Sequence, residues 1–60
     1  MDNELPRLFR FDLVDEHILC ELDEEHNVLH INQYLFDRLP PHQQQEVFNT
    51  KAKVLTIDHF

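Results

Sequence analysis

Apolar side chains alternate with polar ones through Leu8-Phe9-Arg10-Phe11-Asp12-Leu13, a spacing that sets Phe9, Phe11 and Leu13 on one face of a strand beginning after Pro6. Two further apolar stretches, residues 17–22 and 28–31, flank the polar run Asp23-Glu24-Glu25-His26-Asn27 and predict a β-hairpin. Pairing Leu22 with Leu29 and Cys20 with Ile31 builds one apolar face and leaves Glu21 beside His30 on the other. Such a cross-strand charge pair is worth a few tenths to about 1 kcal/mol when the histidine is protonated. The acids of the turn then stand at an exposed tip, where water screens their repulsion.

The period changes after Asn32. Leu35, Phe36 and Leu39 fall three and four positions apart, so residues 33–39 read as a helical turn with a buried stripe and Asn32 as its cap. Pro40-Pro41 interrupts that segment, and one proline fits the first turn of a second helix through residues 42–48, ended by Asn49. Residues 53–58 read as a closing strand, expected at a sheet edge. These elements predict an α+β fold: a small antiparallel or mixed three- to four-stranded sheet with a broken helical segment packed on one face. Residues 1–60 are expected to form a single small domain, with residues 1–7 a flexible arm.

The chain contains no glycine. Asn27, Asn32 and Asn49 are therefore the expected left-handed or capping positions. A glycine-rich phosphate cradle is excluded. Cys20 is the only cysteine, so an internal disulfide is excluded and self-association becomes the expected supplement to a small core, with a homodimer the simplest form. No apolar run reaches the roughly 18 residues of a membrane span, and the first residues lack a secretory pattern, which together with the lone thiol predicts a cytoplasmic setting without membrane contact.

Charge divides the chain sharply. Met1–Asn32 holds nine acids against Arg7 and Arg10, whereas Gln33–Phe60 balances three acids with three bases, so the formal charge of −7 belongs to the first half. Asp12, Asp15, Glu16, Glu21, Asp23, Glu24 and Glu25 form the candidate interaction surface. An acidic chain lacks the basic footprint of a direct nucleic-acid binder, and spaced acids instead suit a basic protein partner. The sequence thus predicts a non-enzymatic interaction or regulatory protein, including an acidic inhibitor that imitates nucleic acid toward a nucleic-acid-binding protein. A small assembly subunit that forms an oligomer is the alternative.

Catalytic and metal chemistry find little footing. Serine is absent, H-E-x-x-H is absent, and Asp15-Glu16-His17 has no specified second ligand. His17, Cys20, His26 and His30 supply zinc-type donors at short intervals. Strand parity nevertheless sends His17 and Cys20 to opposite faces, so they read as solvated histidines and a small buried thiol, with no cofactor and no metal expected. The Gln43-Gln44-Gln45 triplet reads as hydrated helix surface.

Overall fold

Asn27 makes the hairpin possible, closing the turn with φ 55° in a chain without glycine. It joins β2 (Ile18–Asp23) to β3 (Val28–Ile31) in the computed structural model, which describes residues 7–60. The register pairs Cys20 with Ile31, Glu21 with His30 and Leu22 with Leu29, as the apolar pattern requires. Leu29 and Ile31 are fully buried. A one-residue slip would carry both to the opposite face, so the hydrophobic pattern alone holds the register tightly.

The sheet has four strands in the order β1-β3-β2-β4, with β1 (Leu8–Arg10) and β4 (Val54–Thr56) at its edges. β1 runs parallel to β3, whereas β2 is antiparallel to both of its neighbours, so the sheet is mixed. β1 is shorter than its alternating pattern predicts. Beyond Arg10 the chain still reaches β3 through a backbone hydrogen bond, from the Leu13 amide to the Ile31 carbonyl at 3.1 Å. Phe9 and Phe11 do share the expected face, because both pack under the sheet against the helical segment.

That segment is α1 (Gln33–Phe36) followed, after the prolines, by α2 (Pro41–Phe48). The Asn32 side chain accepts from the Leu35 amide, and the Pro40 carbonyl accepts from the Gln43 and Gln44 amides at 3.0 Å. Asn49 ends α2, its amide donating back to the carbonyls of the last turn. Phe36 and fully buried Val47 press into a core of Leu19, Cys20, Leu29, Ile31 and Leu55. Phe9, Phe11, Phe36 and Phe48 form an aromatic cluster with ring centroids 4.9–6.5 Å apart. Each such pair contributes roughly 0.5–1.5 kcal/mol beyond burial. These rings fasten the short first strand to the helices.

Three features depart from the sequence pattern. A bulge sets Ile18, Leu19 and Cys20 of β2 against only Thr56 and Leu55 of β4, which re-aims Leu19 so that two consecutive residues are both fully buried. Simple alternation therefore fails at this point. The closing strand stops at Thr56, and Ile57–His59 turns into a 3₁₀ helix instead of extending to Asp58. Gln44 is not merely hydrated, since its side-chain amide donates to the Phe36 carbonyl at 3.0 Å and ties α2 to the open end of α1.

Residues 1–6 of the expected arm lie outside the described residues. Arg7 is half-buried, and its guanidinium donates to the Phe48 carbonyl at 3.4 Å, at the electronegative end of α2. Among the described residues no helix is long and apolar enough to cross a membrane.

Candidate functional site

The seven acids distribute around a single strand. Asp12, Asp15 and Glu16 occupy the connection leading into β2, Glu21 stands on its outer face, and Asp23, Glu24 and Glu25 gather where it turns into β3. The six residues of β2 span about 20 Å, so the acids form two groups at its ends with Glu21 between them. Glu21 lies across from His30 in β3 and from Val54 in β4, facing away from the helices.

Several of these acids have internal partners. His30 sits at the register expected for pairing with Glu21, but its Nδ1 lies 2.8 Å from Asp12 Oδ1. The ring hydrogen bond from His30 holds the Asp12 carboxyl below its ordinary value. Asp15 Oδ1 accepts from the amides of His17 at 2.7 Å and Ile18 at 2.9 Å, and those bonds lower its pKa. At the tip, His26 Nδ1 lies 2.9 Å from Asp23 Oδ2 and lowers the Asp23 pKa, while Lys53 Nζ lies 3.8 Å from Glu24. The tip is thus partly neutralised by its own neighbours whenever His26 carries charge. The other end carries a similar pair, Asp12 with His30.

That end also contains a groove of about 820 Å³ between the β1–β2 connection and α1. Phe11, Leu13, Val14 and Tyr34 supply its apolar lining. Val14 is 93% exposed and Tyr34 67% exposed, and both border the same space. Asp12, Asp15, Glu16 and Asp37 border the same space, and no Lys, Arg or His among the described residues lines it. The arrangement offers apolar contact surrounded by anionic charge.

Asn32 holds the groove's two walls together. It is only 2% exposed, and its side chain donates to the carbonyls of Asp15 at 2.7 Å and Ile18 at 3.1 Å while accepting from the Leu35 amide at 3.2 Å. Its own amide donates to the Leu19 carbonyl, and its carbonyl accepts from Phe36. On the α1 side, Arg38 donates to the Tyr34 hydroxyl at 2.8 Å with its guanidinium carbon 5.0 Å from the ring centroid, and Gln33 donates to Asp37 at 2.8 Å. Asn32 thus ties the end of the β1–β2 connection to the start of α1.

The sequence pattern brings Asp12, Asp15 and Glu16 into view but misses Val14, Tyr34 and Asp37. Val14 carries a signal in hindsight, as an apolar residue against the alternation that is followed by two acids, Asp15 and Glu16. Tyr34 falls on the side of α1 away from the Leu35–Leu39 stripe, where it lines the groove with Arg38 against its ring. The donor set considered for metal is dispersed: burial encloses Cys20 in the core and pushes its thiol pKa up, whereas His17 and His26 are exposed. Among the described residues no three His, Cys, Asp or Glu side chains converge as metal ligands. No protein-family model, curated protein or solved structure matches this chain.

Proposed function

We propose that this chain is a non-enzymatic interaction protein that engages a positively charged protein surface through the acids bordering β2. The carrying observation is their arrangement: carboxylates stand at both ends and on the outer face of one strand, while the helical segment covers the opposite face. Complementary charge accelerates encounter and disfavors wrong partners. A partner that normally holds nucleic acid presents such a surface, so inhibition of a nucleic-acid-binding protein falls within this reading, and direct nucleic-acid binding does not. A cytoplasmic setting accords with the single reduced thiol of Cys20.

The test starts with affinity capture at low salt from the source cell, followed by titration of the identified partner. Substituting Glu21→Gln, Asp23→Asn, Glu24→Gln and Glu25→Gln together is expected to weaken binding and flatten its dependence on salt. Duplex DNA competes if the partner's contacted surface is its nucleic-acid channel. Full binding by the fourfold variant at both low and high salt contradicts the electrostatic reading.

An assembly role is the second reading, supported by the edge strands β1 and β4, each paired on one side only among the described residues, and by exposed Leu8, Val54 and Ile57 on or next to them. It predicts a homodimer. Sedimentation showing only monomer across a wide dilution series contradicts it.

A further inference from the structure

We propose that the groove between the β1–β2 connection and α1 is the docking site for a protein segment that presents an apolar side chain flanked by arginine or lysine. This assignment rests on the interaction reading above and names the partner's local chemistry. Val14 and Tyr34 are the contact residues, since both expose apolar surface into one concavity with Phe11 and Leu13. A concave apolar lining recognises a side chain better than a scatter of exposed residues does.

The border determines which occupant fits. Asp12 and Asp15 are held in the ionised form by their hydrogen-bond donors, and Glu16 and Asp37 add carboxylates on either side of the opening. A phosphate, an acidic peptide or a nucleic acid meets repulsion there. A second copy of this chain brings another formal −7 and is disfavoured by the same argument. A guanidinium can donate two parallel hydrogen bonds to one carboxylate, so arginine beside the apolar anchor is favoured over lysine. The bonds from Asn32 to both walls keep this geometry formed in the free protein.

The assignment is tested by titrating the uniformly ¹⁵N-labelled chain with three capped hexapeptides while recording amide spectra. The first has Leu-Phe at its centre and two arginines on each side; the second replaces the arginines with glutamates; the third replaces Leu-Phe with Ala-Ala. Binding of the first should move amides of residues 11–16 and 32–37, with affinity at least tenfold above either control. Val14→Asn and Glu16→Arg should each weaken it about tenfold while leaving the remaining spectrum unchanged, which separates loss of contact from loss of fold. Equal affinity for the arginine and glutamate peptides overturns the charge argument, and equal affinity for the Leu-Phe and Ala-Ala peptides overturns the apolar one. The same shifts produced by raising the protein's own concentration assign the groove to a second copy and overturn the proposal. If no peptide moves these amides while the captured partner retains salt-sensitive binding, the groove assignment falls and the wider acidic-surface reading stands. Peptide binding in the groove, combined with a fourfold acid variant that keeps full partner affinity, leaves the groove and removes the wider surface.

Discussion

Replacing Asn32 with alanine should cost a large share of the molecule's stability. The side chain caps α1 at Leu35, a role worth about 1 kcal/mol. It also supplies the donors for the carbonyls of Asp15 and Ile18 at 2.7 and 3.1 Å, each worth about 0.5–1.5 kcal/mol. At 2% exposure the residue leaves little access for water to replace those bonds, so the combined loss is about 2–4 kcal/mol. A domain of this length has a total stability on the order of 3–9 kcal/mol. Urea unfolding followed by circular dichroism measures the difference directly, and a loss below about 1 kcal/mol refutes the keystone role. Asn32→Asp sharpens the test because it retains the acceptor for Leu35 but turns an oxygen toward two carbonyls. At neutral pH it should be less stable than Asn32→Ala. Burial and the facing carbonyls raise the introduced carboxyl's folded pKa, so its penalty shrinks as pH falls toward the ordinary carboxylate range and protonation restores a donor.

The remaining predictions concern the thiol, the aspartates and the helix joint. Cys20 should resist a water-soluble disulfide reagent in the native protein and react only as fast as the chain opens, because burial both shields the thiol and raises its pKa; rapid native labelling contradicts its place in the core. Asp12, Asp15 and Asp23 have folded pKa values below their ordinary ones, so the stability they contribute is complete above the ordinary carboxylate range and is lost as pH falls through their folded values. The thermal midpoint should therefore fall on acidification, less steeply in Asp15→Asn, and equal slopes for the two proteins contradict this assignment. Gln44→Ala should lose about 1 kcal/mol through the Phe36 carbonyl, against less than about 0.5 kcal/mol for Gln45→Ala, in parallel urea titrations. Indistinguishable midpoints refute the joint.

Local chemistry made much of the fold legible. The hairpin register follows from Cys20, Leu22, Leu29 and Ile31 sharing one face, and a shift by one residue would expose that set. Asn27, Asn32, Pro41 and Asn49 carry turn or capping preferences strong enough to mark their positions without glycine. The parallel pairing of β1 was not legible, because alternation specifies a strand's faces but not its neighbour. Its placement depends on Phe9 and Phe11 meeting Phe36 and Phe48, contacts between residues distant along the chain. The bulge at Leu19 was hidden for a similar reason, since it exists only relative to β4.

Less of the candidate site could be read. Acid positions are visible in the chain, but whether an acid faces a partner or an internal donor depends on tertiary placement. His30 illustrates the difference, standing across from Glu21 while its ring bonds to Asp12. The groove brings residues 11–16 against residues 32–37, a pairing created when Asn32 ties the strand connection to α1.

The acidic, apolar-lined end of β2 is the proposed binding face. Isotope-filtered nuclear Overhauser spectra of the labelled chain with the arginine-flanked Leu-Phe peptide test that claim most directly. Cross-peaks are expected from the Val14 methyls and the Tyr34 ring to the peptide's leucine and phenylalanine side chains. Cross-peaks confined to Val54 and Ile57 near the β4 edge, with Val14 and Tyr34 silent in the bound state, would contradict it.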